Sequence, residues 1–269
     1  MDTRRLEQIV IIILAILVLC LLFIVAADRL QAVRDHAELE NQVAALLEKN
    51  GIRADDLRLP ETPAQYRLLR DTELEQAQVK KLIGTDRGQE QGGGIRYYKS
   101  ERGQALLRGT GEMDVLFTGD AAGRGDPGRL LDRLFSRAGL TLGETDREPE
   151  DDDTLQRCCY RDGIPILNAV LKADISDGII SLISGTVPFQ REAERSTEGV
   201  MSAATALGRF LEQVRREGIV CSRLEEISPV YLMSVPVSGE SSLIPLWRIR
   251  TDTGTFFLNA LTGRAENPI

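Results

Sequence analysis

The chain has 269 residues, 42% of them hydrophobic, and a formal net charge of −8 from 33 Lys and Arg against 41 Asp and Glu. An acidic balance of this kind gives no electrostatic footprint for nucleic acid, whose phosphates it repels. Four cysteines spread over such a length exclude a dense disulfide scaffold of the small secreted type.

Residues 1–8 form a short charged tail with Arg4 and Arg5, and residues 9–27 carry no charge and are almost all Ile, Leu, Val or Ala. About 20 apolar residues in a helix cross the hydrocarbon core of a bilayer, so 9–27 is predicted as a transmembrane helix. The arginines before it set the N-terminus in the cytoplasm and the remainder outside, with Arg29 and Arg34 opposing that bias. Val25-Ala26-Ala27 would also suit a signal-peptide cleavage site, but the run exceeds the roughly 7–15 residues of a secretory apolar region, so a retained anchor is expected. The expected location is therefore the cell membrane, single-pass.

Three amphipathic helices are predicted to end alike. Val43 and Leu47 precede Gly51-Ile52, Leu131 and Phe135 precede Gly139-Leu140, and Phe210 and Val214 precede Gly218-Ile219. Apolar residues four apart share a helix face, and Gly51, Gly139 and Gly218 can adopt the left-handed conformation that terminates a helix. A fourth helix is predicted over Thr72 to Ile83, with Leu74, Val79 and Leu82 as its stripe and Gly84 at its end.

Strands are predicted between these helices. Ile95 to Lys99 and Met113 to Phe117 are expected to pair across Glu101 to Gly111. Leu155 to Tyr160 turns at Asp162-Gly163, and Ala169 to Ile175 turns into Ile179 to Val187 at Ser176-Asp177-Gly178. Val230 to Val235 leads on to the strand of Trp247, and Asp252-Thr253-Gly254 suits a three-residue hairpin with glycine at the left-handed position. Gly84 to Gly94 reads as a mobile linker, and Glu144 to Asp153 as a solvated acidic loop without the ordered spacing of a calcium loop. The expected fold class is α+β: after the anchor, a juxtamembrane helical segment (28–84), then two related helix-plus-antiparallel-sheet units at 85–190 and 191–269.

Chemistry-bearing residues are sparse. The sole histidine, His36, has no triad partners beside it, and neither a G-x-S-x-G nor a phosphate loop occurs. Cys20 falls in the apolar run, Cys158 and Cys159 are neighbours, and one bridge from Cys221 to either of that pair is conceivable. Gly123 to Gly128, GRGDPG, matches a dinucleotide fingerprint in letters, but Asp126 would repel a pyrophosphate, and Asp126-Pro127 reads as an N-cap and first helical residue. No enzyme, cofactor or metal site is expected. A wall-active hydrolase stays open as a rival class, because any acidic surface supplies carboxylate pairs and only their separation decides.

The ending PLWRIRTDTGTFFLNALTGR, from Pro245, resembles the close of the YycI/YycH family of regulatory proteins and of related PepSY-like modules. The start is also similar: Met1-Asp2, a few charges, one span, then a helix running into LEKNGI and a leucine-proline stretch from Leu57 to Pro60, although Thr3 stands where the family usually has Trp. The resemblance implies a membrane-anchored accessory protein that tunes a sensor histidine kinase of the WalK (YycG) type, together with a YycH-like companion, by protein contact. A PepSY-like inhibitor or chaperone of an exported peptidase is the alternative it implies. Trp247, Ile249 and Phe257 are the candidate partner-contact residues. Trp247 and Ile249 alternate onto one strand face, where filling the core is the competing role, and Asn259 and Gly263 read as turn chemistry closing the last strand.

Overall fold

The computed structural model describes residues 38–55, 57–85, 87–137, 141–145, 153–188, 190–235 and 240–267. The expected membrane segment with Cys20, His36, Gly139 and most of the acidic loop lie outside them. Among the described residues no helix is long and apolar enough to cross a membrane.

Local sequence sets the four described helices. The first, α1 (38–49), closes at Gly51, whose φ is 80°. There Ile52 N donates to Leu47 O at 3.0 Å and Gly51 N to Glu48 O at 2.8 Å, the paired bonds of a Schellman motif. α2 (Thr72–Ile83) begins under the Asp71 carboxylate, which accepts from the amides of Glu73 and Leu74, and stops at Gly84 with φ 84°. α3 (Pro127–Arg137) starts within the GRGDPG stretch as expected, with Asp126 Oδ1 accepting from Arg129 N at 2.8 Å. α4 (Ala203–Glu217) is capped by Ser202 and ends at Gly218, φ 65°, where Ile219 N bonds back to Val214 O at 3.1 Å.

The strands, in chain order, are β1 (Gln65–Arg70), β2 (Gly88–Gly92), β3 (Ile95–Ser100), β4 (Gly103–Leu107), β5 (Glu112–Phe117), β6 (Thr141–Gly143), β7 (Thr154–Arg161), β8 (Ile164–Ser176), β9 (Ile179–Thr186), β10 (Gln190–Ser196), β11 (Leu224–Ser234), β12 (Glu240–Thr251), β13 (Gly254–Asn259) and β14 (Ala265–Glu266). Strands β2 to β9 form a predominantly antiparallel N-terminal sheet, and β10-β1-β12-β11 with β13 and β14 form a C-terminal one. They join at β8, whose later half pairs with β9 while Ile166 pairs parallel with Tyr231 of β11. The Asn168 side chain continues that seam: its Nδ2 donates to Met233 O at 2.7 Å, and its Oδ1 accepts from Met233 N at 2.8 Å. One amide thus satisfies both backbone groups of Met233 on the side facing β8, where strand pairing is limited to Tyr231 and Ile166.

Two hairpin turns form as expected. Asp162-Gly163 and Asp177-Gly178 are two-residue connections with positive φ at both positions. Other expectations are corrected. The stretch 84–94, expected as a mobile linker, contains β2 paired with β3; a Cβ at Gly88 would stand 2.5 Å from the Tyr98 ring, so only glycine lets that ring lie on the strand. Ile95 to Lys99 does not pair with Met113 to Phe117, because β4 lies between them and pairs with both. The last hairpin is tighter than expected: Thr251 pairs directly with Gly254, whose φ of 155° is positive and favours glycine but is far from the left-handed helical value. Cys158, Cys159 and Cys221 are free thiols, and no bridge forms because Cys159 is buried in one core and Cys221 borders the other.

Two hydrophobic cores result. The larger packs α2 and α3 against the N-terminal sheet through Val79, Leu82, Leu131, Phe135, Val115 and Ile183. The smaller packs α1 and α4 on β11 to β13, with Val43, Leu47 and Ile52 meeting Leu207, Phe210, Trp247 and Ile249. Residues 43–59 therefore share a core with residues 203–260, and β1 is a central strand beside β12.

Candidate interaction site

The β12–β13 hairpin has two unlike faces because side chains alternate along each strand. Trp247 and Ile249 point inward, and neither keeps any exposed surface. Trp247 Nε1 donates to Met201 O at 2.9 Å, and Phe256 lies 5.2 Å, centroid to centroid, from Phe210 of α4. These two of the three sequence-predicted contact residues are thus core side chains, with no surface to offer a partner in this conformation. Phe257 is different. It faces the other side of the sheet, stays half-buried, and stands opposite Arg248 in the register.

Around Phe257 the outer face is polar. Arg248 Nε donates to Ser228 Oγ at 3.1 Å, and the Arg250 guanidinium pairs with Glu226 and lies 3.9 Å from Glu225. At the hairpin tip the Asp252 carboxylate accepts from Ser222 Oγ at 2.5 Å and from the backbone amides of Ser222 and Arg223. These donors hold its carboxyl below the usual range, the Ser222 side chain being the largest cause.

The chain end folds back over the hairpin edge. Asn259 Oδ1 accepts from the amides of Leu261 and Thr262, and its Nδ2 donates to Glu266. Gly263, φ 68°, donates to Asn259 O at 2.8 Å, and this turn sets β14 beside Phe257 and Leu258. Between this edge and α4 lies an open groove of about 610 Å³, lined by Gln213, Arg248, Arg250, Thr255, Phe256, Phe257 and the 265–267 tail. It continues into a second hollow of about 320 Å³ bounded by Arg209, Glu212, Arg216 and Arg264. Five arginines and two glutamates thus line a groove on a chain whose formal charge is −8. The nearby Glu217, Glu225 and Glu226 pair with Arg216, Arg223 and Arg250, in exposed contacts that cost little to exchange.

The nucleophile candidates are shifted away from reactivity. Burial pushes the Cys159 thiol up, and the Cys221 thiol is raised by burial and by the charge of Asp252. The Tyr66 phenol is likewise raised, by burial first and then by its hydrogen bond to Asp162. Among the described residues no group of three or more His, Cys, Asp or Glu is arranged to hold a metal ion.

Sequence reasoning found Phe257 but not the groove. The available signal was Arg248 and Arg250 alternating with Trp247 and Ile249, which marks the second face of the same strand.

No protein-family model matches the chain, and comparison with curated proteins finds no match. Among solved structures it is similar to an uncharacterized protein from Eubacterium rectale, at 12% identity and TM-score 0.37 over 80% of this chain and 89% of that one. It is also similar to the YpeB C-terminal domain of Bacillus megaterium, at 14% identity and TM-score 0.35 over 75% of this chain and 97% of that one. At such TM-scores neither likeness informs function.

Proposed function

We propose that this chain is a tethered, non-catalytic binding module that holds a partner protein in the groove around Phe257. The observation that carries this reading is the pairing of a half-buried aromatic with flanking arginines in an open groove at a sheet edge, a composition that suits protein contact. Residues 9–27 would anchor the module in the cell membrane, with the α+β part outside. The resemblance of residues 245–264 to the YycI/YycH close makes a sensor histidine kinase of the WalK type the first partner to test, with a YycH-like companion beside it. Inhibition or chaperoning of an exported peptidase, the PepSY-like alternative, would use the same groove.

The test is Phe257→Glu in the full chain at native expression, read by a reporter of the kinase regulon. Phe257 is partly exposed, so the variant keeps its fold while a charge enters the groove. Loss of regulation is the expected result. An unchanged reporter in a folded variant would remove the groove from kinase control, and inhibition of an exported peptidase would then be measured with the same variant.

A further inference from the structure

The groove around Phe257 has a charge of its own. Arg248 and Arg250 of β12 line its first hollow, and Arg209, Arg216 and Arg264 line the hollow it runs into. Against these five arginines stand Glu212 and Glu266, an excess of three positive charges on a chain of formal charge −8. At physiological salt the Debye length is about 8 Å. A segment lying in the groove therefore responds to the arginines beside it more than to the acidic remainder of the chain.

These arginines are held by contacts that another acceptor can replace. Arg209 Nη1 lies 3.0 Å from Glu212, and Arg216 Nη2 lies 3.2 Å from Glu217. Each of the four side chains is at least 46% exposed, and exposed pairs of this kind contribute little and open readily. The planar guanidinium suits a carboxylate, which it can hold by two parallel hydrogen bonds.

The groove also borders an open stretch of sheet edge. β12 pairs with β13 from Gly254 to Asn259, whereas β14 covers the opposite edge of β13 only at Phe257 and Leu258. Among the described residues no strand lies beside Thr255 and Phe256 on that edge. An extended chain can add to such an edge, and its alternate side chains then face the same way.

Taking this groove as the protein-binding site, we propose that its occupant is an extended acidic segment of the partner protein. Its carboxylates replace Glu212 and Glu217 on Arg209 and Arg216, while an apolar side chain next to them meets Phe257. The free protein thus covers its own arginines with weak internal stand-ins for the partner.

The probe is a synthetic peptide alternating Glu with Val and carrying an uncharged dye. Its anisotropy is read against the full chain in a non-ionic detergent. Saturable binding is expected at about 0.15 M salt and is expected to weaken at about 1 M, where the Debye length falls to about 3 Å. Arg216→Gln and Arg264→Gln should each weaken it about two- to fivefold, the range for one exposed ion pair. Glu212→Gln should tighten it by a similar factor, because it uncovers Arg209. No binding, equal binding of a peptide alternating Gln with Val, or arginine variants that bind like the parent would each overturn the acidic occupant. Binding that vanishes when phosphatidylglycerol is mixed into the micelles would give the arginines to a lipid surface. A dimer that Arg216→Gln dissolves would make a second copy of the chain the occupant, and either result overturns the proposal. If the peptide fails while Phe257→Glu still abolishes regulation, the groove remains a protein site with a different occupant. Peptide binding with an unchanged reporter would uphold the acidic occupant and separate it from kinase control.

Discussion

Trp247 Nε1 donates to the carbonyl oxygen of Met201 at 2.9 Å, while Met201 N donates to Ala260 O at 2.7 Å. The segment entering α4 is thereby pinned to both strands of the last hairpin, and the indole is its anchor in the core. Trp247→Phe keeps a ring there but empties part of the pocket and strips a buried carbonyl of its donor. A loss of about 2–3 kcal/mol is expected from those two effects together, read as a lower denaturation midpoint. A folded Trp247→Phe protein should still bind its partner, since the side chain has no exposed surface.

Two glycines of one helix region should respond with opposite signs. Gly218 holds φ 65° past the end of α4, so Gly218→Ala places a Cβ in the left-handed region and is expected to destabilise by about 1 kcal/mol. Gly208 lies inside α4, and a Cβ there meets nothing within 4 Å. Gly208→Ala is expected to stabilise by about 0.8–1 kcal/mol. Urea melts of the two variants against the parent protein would test both.

Gly185 in β9 is a different case. It lies between Met113 and Leu171 with φ 146°, and a Cβ would stand 2.1 Å from Val170 O. Backbone atoms of a central strand cannot give by that much, so Gly185→Ala should yield insoluble or protease-sensitive protein. Normal expression and a cooperative melt from this variant would contradict the close approach of β8 and β9.

Acid should weaken the hairpin tip. The carboxyl of Asp252 titrates below its unfolded value near 3.9, so its stabilising contribution is complete above that pH and disappears as the pH falls through the folded value. The parent protein is expected to lose more stability between pH 5 and pH 2 than Asp252→Asn does. Parallel acid titrations of the denaturation midpoint measure this, and coincident slopes would show that the Ser222 and Arg223 contacts do not favour the charged form.

How much of this was readable from the residues follows from the range of the interactions. The endings at Gly51 and Gly218 depend on a few neighbouring positions, and the start at Asp126-Pro127 on a single side chain. Asp162-Gly163 and Asp177-Gly178 likewise carry their turn geometry with them. Strands β2 and β4 did not announce themselves, because GQEQG and GQALL combine poor strand formers with glycines that only the Tyr98 ring and the Leu116 carbonyl require. The groove was hidden for a related reason. Its lining comes from α4, β12, β13 and the chain end, and the Trp247 pattern marks only the buried face of the same strand.

The sharing of one core between residues 43–59 and residues 203–260, with β1 seated beside β12, bears on how the chain is made. On a ribosome the first helix and strand emerge long before the partners that cover Leu47, Ile52 and Tyr66. These apolar surfaces must wait, uncovered, until nearly the whole sequence has been synthesised, so residues 43–70 are among the last to be sealed. Chaperone demand and premature-termination damage should therefore concentrate there, and a chain stopped before β12 would leave that surface permanently sticky.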